Sequence, residues 1–187
     1  MNMLSLAATV NHLSVSTERL ILRKMNFDDL EVALAHERDP VLMRYVKDND
    51  DAELILKQLL KYLGEWHGFE GEWLVIAIEL AATNQVIGTV ACQFESIAFR
   101  RIEIGYRIHP DFQHQGFAFE AVQRFIDFLW HVKVHKIVAY CVTENQRSFQ
   151  LMEKLAMRRE GHLLKNIKLA GQWHDEYIYG LLKPKQS

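Results

Sequence analysis

The stretch HPDFQHQGFAFEA, residues 109–121, decides how this chain of 187 residues folds. A proline-marked loop ends in one glycine, Gly116, and an apolar helical pattern begins at once. Phe117, Ala121, Val122, Phe125, Ile126 and Leu129 recur at spacings of three and four, which is one face of an amphipathic helix over residues 116–130. The run before the loop, RRIEIGYRI, reads as a strand. A helix start carries unpaired amide hydrogens and partial positive charge. A glycine at that point lets the backbone come close to a ligand. The loop holds no lysine or arginine. A bound anion such as a diphosphate would therefore rest on backbone amides. Taken alone, a glycine between strand and helix is more often just a turn.

Working outward, RLILRKM (19–25) reads as a strand. FDDLEVALAHERDP follows as a helix, with acids in its first turn, apolar Leu30, Leu34 and Val41, and a stop near Pro40. DNDDAELILKQLLKYLGEW reads as a second helix, capped by Asp50 with Glu53 three residues on. The acidic run at 48–53 would also suit a cationic substrate, but carboxylates belong at the positive end of a helix. EWLVIAIEL, QVIGTVACQFE and RRIEIGYRI are strand-like, the first two joined by the short polar turn AATN. Beyond the helix at 116–130, KIVAYCV is expected to be a strand buried on both faces. NQRSFQLMEKLA is a helix, and two last strands flank the turn LAGQ at 169–172. Hairpins first and a strand–helix–strand crossover later predict an α/β (α+β) fold, its sheet mainly antiparallel with one parallel pair. No repeat or linker divides the chain, which predicts one domain over 1–187 with residues 1–15 as an N-terminal extension.

Composition narrows the function classes. Lys and Arg total 22 against 24 Asp and Glu, a net charge of -2, which gives no support for sequence-independent nucleic-acid binding. No apolar run is long enough to span a bilayer, and the start MNMLSLAATV lacks a basic region. The expectation is a cytoplasmic protein with no membrane or nucleic-acid partner. Cys92 and Cys141 sit in apolar runs and are expected as buried free thiols. His131 and His135 have a metal-like i,i+4 spacing. They fall at a helix end beside Lys133 and Lys136, where cations are favoured, and no third ligand is evident. No metal is expected.

The order of the parts carries a resemblance. Gln113-x-x-Gly116-x-Ala118 fits the pattern Q/R-x-x-G-x-G/A, and Glu120-Ala121 follows. TENQRSFQLMEKLAMRREG stands later in the chain, RRIEIGYRIHP stands before the loop, and TERLILRKMNFDDL opens the series. In order and spacing these four stretches resemble the GNAT superfamily of acyl-CoA-dependent N-acetyltransferases. They look most like its RimL/RimJ-like branch, which acetylates ribosomal-protein N-termini. The resemblance runs from about Ser16 to Lys183. It implies a GNAT fold, with a mixed, mostly antiparallel seven-stranded sheet flanked by about four helices, and acetyl-CoA as co-substrate. It implies that Gln113, His114, Gln115, Gly116, Phe117 and Ala118, with the amide of Phe119, cradle the pyrophosphate. It further implies that Tyr106, Arg107 and Ile108 pair their backbone with the pantetheine arm, that Asn145 touches that arm, and that Ser148 faces the thioester.

Two residues depart from the family pattern. Phe119 stands where a serine or threonine is common, so a hydroxyl contact to phosphate is lost. Met152 stands where many members carry a tyrosine that protonates the departing thiolate, and methionine has no proton to give. Ser148 or a bound water then takes that part, or the thiolate leaves unprotonated, which a thiol pKa near ~8.5 permits.

Glu103 is the candidate base. In RIEIGYR its side chain falls opposite those of Ile102 and Ile104, and the branch often has an acid at this position. The same residue also reads as a carboxylate on a solvated strand face, and the residues alone leave both open. An α-amine with a pKa near ~7.7–8.0 is partly neutral already, so one carboxylate acting through water suffices for such an acceptor. Trp66, Trp73 and Trp173 are candidates for the acceptor pocket, with core packing expected for at least one of them. Gly171 and Asp175 read as turn chemistry, and 40–70 and 165–176 as the variable acceptor loops. The expected activity is acetyl transfer to a primary amine, first of all a protein N-terminus. A small amine such as a polyamine or aminoglycoside is the second reading, and a CoA-binding sensor without turnover is the third. The resemblance also suggests a homodimer.

Overall fold

Strand alternation and one short parallel contact set the shape of the sheet. The structure is a computed structural model that describes residue 7, residues 9–48 and residues 51–184. Its described strands are β1 (Ser14–Ser16), β2 (Leu20–Lys24), β3 (Leu74–Leu80), β4 (Val86–Ser96), β5 (Arg101–Ile108), β6 (Lys136–Val142), β7 (Arg158–Leu169) and β8 (Gln172–Leu182). They form one sheet in the order β1-β2-β3-β4-β5-β6-β8-β7. Eight strands replace the expected seven, because Ser14–Ser16 adds along β2. Val10 and Leu13, from the stretch expected as an extension, are buried in the main core.

Every neighbouring pair is antiparallel except β5 and β6. That parallel pair holds only Arg101↔Lys136, Ile102↔Ile137 and Glu103↔Val138. Beyond Glu103 the two strands part. β5 stays bonded to β4 as far as Ile108, so its other edge faces the gap.

Beyond β1 the described helices are α1 (Leu30–Arg38), α2 (Pro40–Met43), α3 (Ala52–Leu63), α4 (Phe117–His131) and α5 (Gln146–Lys154), five in a stretch where four were expected. The extra one comes from Pro40. Proline at a first helical position lacks only an amide that would be unpaired anyway, so Pro40 starts a helix as well as ending one. Asp39 Oδ1 caps it, accepting from Val41 N at 2.8 Å and Leu42 N at 2.9 Å. Val41, placed on the first helix by its spacing, lies in α2 and is 64% exposed. Asp50, the cap expected for the next helix, lies outside the described residues. Asp51 Oδ1 caps α3, accepting from Glu53 N at 2.9 Å and Leu54 N at 3.2 Å.

Each face of the sheet has its own core. The expected stripe of α4 is buried against Ile76, Val90, Ile102, Ile104 and Ile137 on one face. On the other, Ala33 of α1 and Ile55, Leu59 and Leu63 of α3 cover Val75 and Ala77. Strand alternation therefore sends Glu103, Gly105 and Arg107 to the α1/α3 face, and Tyr106 to the α4 face. Cys92 and Cys141 are free and buried.

The β7–β8 hairpin turns through Ala170 (φ 48°) and Gly171 (φ 75°), two successive left-handed residues of the kind that match strand twist. Asp175 has a different place from the one its motif suggested. Leu163 pairs with Glu176 and Ile167 with His174, so residues 164–166 bulge out opposite Asp175 alone. Its carboxylate fills the bulge, accepting from Lys165 N at 2.8 Å and lying 2.7 Å from His162 Nε2. The hairpin tip reaches the residues before α3, where Ala170 N donates to Asp48 Oδ2 at 2.6 Å.

Candidate active site

The loop between β5 and α4 is shaped by its own side chains. Pro110–Phe112 forms one 3-10 turn, and His114 (φ 62°) and Gly116 (φ 84°) take left-handed backbone. Gly116 is the N-cap of α4 and supplies no side-chain acceptor, so the first amides of this helix lack a side-chain cap. Gln113 braces the loop, donating from Nε2 to Ile108 O at 2.9 Å. Gln115 Nε2 donates to Asp111 O at 3.2 Å. These contacts fix the loop from within and leave the first amides of α4 open.

Two guanidinium groups reach the loop from elsewhere in the chain, which loop composition did not reveal. Arg147, on α5, donates to Gln113 Oε1 at 2.8 Å. Arg19 donates to Gln115 O at 3.0 Å, lies 4.3 Å over the Phe117 ring, and pairs with Glu120 at 2.6 Å. Thr17 Oγ1 also donates to Glu120, at 2.5 Å. The separate sequence signatures TERL and EA thus meet at one place. Ala118 and Phe119 lie in the first turn of α4, with Lys154 Nζ 4.5 Å from the Phe119 ring.

Where β5 and β6 part, a cleft of about 380 Å³ opens. Its wall on the α5 side carries Tyr106, Asn145, Ser148 and Met152. Asn145 Oδ1 caps α5, accepting from Ser148 N at 3.3 Å, and its amide NH₂ is the donor it can offer a ligand. The Tyr106 hydroxyl donates to Ser148 O at 3.0 Å and lies 3.2 Å from Ser148 Oγ. Met152 is 1% exposed.

Glu103 stands at the point where the strands part and is half-buried in the cleft rather than on a solvated face. Burial pushes its carboxyl above the ordinary value, Glu95 and Glu176 add to the rise, and a hydrogen bond from Gln93 Nε2 at 2.6 Å opposes it. Glu176 lines the cleft beside it and accepts from Asn166 Nδ2 at 2.7 Å. Arg107 lies toward the other end, its side chain donating to the buried Glu37 and to Thr89 Oγ1 at 3.2 Å. Lys47 Nζ stands 3.0 Å from Glu37 Oε2, an ion pair without aligned hydrogen-bond geometry. Burial would raise the Glu37 carboxyl, but Arg107 and Lys47 hold it below its ordinary value.

The cleft is therefore acidic at the Glu103 end and carries two cations against one buried carboxylate at the Arg107 end. Glu37, Lys47 and Glu176 were not found by sequence reasoning. Lys47 and Glu176 do fall within the stretches 40–70 and 165–176 expected as acceptor loops, and Glu37 had no such signal. The tryptophans divide. Trp73 lines the cleft, Trp66 is core and stacks on Phe94, and Trp173 is 60% exposed and outside the lining. A second recess of about 460 Å³, beside β1 and β2, is lined by none of the loop or β5 residues.

Known proteins bear on this arrangement. Residues 19–158 match the family model described as Acetyltransferase (GNAT) domain. The uncharacterised N-acetyltransferase YnaD of Bacillus subtilis (strain 168) is 28% identical over 170 residues, covering 90% of this chain and 96% of that one. A crystal structure of a GNAT-family acetyltransferase from Bacillus anthracis superposes with a TM-score of 0.77 at 29% identity, covering 91% of this chain and 98% of the other. A more partial match is the [Ribosomal protein uS5]-alanine N-acetyltransferase of Escherichia coli (strain K12), 30% identical over 88 residues, 46% of this chain and 45% of that protein. Among the described residues no helix is long and apolar enough to cross a membrane.

Proposed function

The chain belongs to the GNAT acetyltransferase family and is an N-acetyltransferase, and from that premise we propose that its acceptor is the α-amine of a protein N-terminus, as in the RimL/RimJ-like branch. The charge layout of the cleft carries this reading. Glu103 and Glu176 suit a single ammonium at one end. Arg107 lies four residues further along β5, about 13 Å at roughly 3.3 Å per residue. A polyamine held at Glu103 would bring its other ammonium groups toward Arg107 and Lys47, where like charge repels them. A protein N-terminus brings one amine.

Acetyl-CoA supplies the acetyl group as an activated thioester. The residues fit such a molecule. The uncapped amides after Gly116 suit the diphosphate, and a Cβ at Gly116 would stand in that cradle. Arg19 and Arg147 add positive charge beside it. The edge of Tyr106, Arg107 and Ile108 facing the gap suits the amide groups of the pantetheine arm, with the Asn145 NH₂ as a further donor. Glu103 takes the amine proton, directly or through water, and its raised pKa brings it closer to the pH at which a base is useful. Ser148 lies on the side of the departing sulfur. An acceptor screen with acetyl-CoA, covering N-terminal peptides, polyamines and aminoglycosides with products identified by mass spectrometry, tests the reading. Acetylated peptide N-termini are expected. Turnover of polyamines alone refutes the acceptor class, and no thiol release with any amine favours a CoA-binding sensor.

A further inference from the structure

With Met152 at the usual acid position, the α5 side of the cleft offers few groups to a departing thiolate. Burial holds the Cys141 thiol up at about 11, which leaves it a weak, protonated donor. The strong polar pair on this wall is Tyr106 with Ser148. The one proton of the Tyr106 hydroxyl is shared between Ser148 O and Oγ, at 3.0 and 3.2 Å, which leaves the Ser148 Oγ proton free for another acceptor. Asn145 holds the Ser148 amide from the other direction at 3.3 Å. Ser148 is thus held at its amide by Asn145 and at its carbonyl and hydroxyl by Tyr106.

We propose that Tyr106 is a positioning residue whose hydroxyl orients Ser148, so that Ser148 Oγ donates a hydrogen bond to the sulfur of the leaving thiolate. This deepens the proposed function and rests on acetyl-CoA binding in the cleft. The bonds balance simply. The amine nitrogen gains the acyl carbon, the carbon–sulfur bond breaks, and the electron pair stays on sulfur. The amine proton goes to Glu103 and then to solvent, and the thiolate, held by Ser148, takes its proton from solvent on release. No tyrosinate forms. Burial raises the Tyr106 phenol far above its ordinary value, so it remains a fixed hydrogen-bond donor throughout.

The test needs no acceptor. CoA labelled with ¹³C at the carbon next to sulfur is titrated while bound to the wild type, Tyr106→Phe, Ser148→Ala and the double variant, with affinity followed by calorimetry. Bound to the wild type, the thiol should titrate below free CoA. Ser148→Ala should return it upward by about 1–2 pH units, the worth of one hydrogen bond to a charged group, and Tyr106→Phe by about 0.5–1 unit. The double variant should match Ser148→Ala, because Tyr106 acts only through that residue. The same titration in wild type and Tyr106→Phe would overturn the proposal. So would loss of CoA binding in Tyr106→Phe, which would make the hydroxyl a support of the cleft. A wild type that binds no CoA would bring down the cofactor site itself, and this inference with it.

Discussion

Replacing Gly116 separates backbone strain from ligand binding. The residue sits at φ 84°, where a side chain costs about 1–2 kcal/mol. A Cβ built there meets only Arg19 Nη2, at 3.4 Å, the end of a flexible side chain that can move aside. Against a typical stability of about 5–15 kcal/mol, Gly116→Ala should leave a folded protein. Its Tm should fall by roughly 2–8 °C, at about 2–4 °C per kcal/mol for a chain of this size. Gly116→Val adds two methyl groups over the amides that open α4, at a somewhat larger strain. If two charge-assisted hydrogen bonds to the diphosphate are lost, at about 1.5–3 kcal/mol each, the Kd for acetyl-CoA should rise by roughly 10²–10⁴-fold. Calorimetry on both variants, beside thermal melts, measures the two effects separately. A folded Gly116→Val protein with wild-type affinity for acetyl-CoA would refute the assignment of the diphosphate to this loop.

Glu103→Gln should lower kcat by roughly 10²–10⁴-fold with acetyl-CoA affinity nearly unchanged. A raised carboxyl puts the acid limb of the pH profile above the usual carboxylate range, and Gln93→Leu, which removes the opposing hydrogen bond, should move that limb further up. A carboxyl raised on folding disfavours the ionised native state, so Glu103→Gln should gain stability at neutral pH, and the gain should shrink as pH falls through the folded pKa; a wild-type rate and profile would exclude the base role. Asn145→Ala should cost about 1 kcal/mol of stability as a lost helix cap, read from a melt, and a further ~0.5–1.5 kcal/mol of acetyl-CoA affinity. Unchanged affinity would leave Asn145 with the cap alone. At Gly88 a Cβ would overlap the Arg107 carbonyl oxygen across the ladder, so Gly88→Ala should push β5 away and lower both Tm and the affinity for acetyl-CoA.

What could be read from sequence was what neighbours along the chain decide. The stripe on α4 and the Ala170-Gly171 turn depend on periodicity and local backbone preference, and both stand where the pattern put them. Pro40 misled because its rigid φ suits a helix start as well as a stop. Asp175 misled because a carboxylate three residues beyond the LAGQ turn looks like turn chemistry, whereas pairing across the hairpin puts it opposite a three-residue bulge. Of the residues that the motifs suggested, 113–119 form the loop and first turn of α4, and Asn145 and Ser148 line the cleft. Their roles are proposals, and sequence showed nothing where distant segments meet. Arg19 reaches Gln115 across 96 positions and Arg107 reaches Glu37 across 70, and neither separation leaves a local trace.

The three-pair contact between β5 and β6 also makes the sheet two mechanical units, β1–β5 on one side and β6, β8 and β7 on the other. Few backbone bonds resist their separation, so this seam is where the domain should open first when it opens short of global unfolding. A ligand seated across it would tie the halves together and make their unfolding more cooperative. Amide exchange should report this as slower exchange on both sides of the seam at once, in β6 and α5 as well as in β5, although most of those amides never touch the ligand.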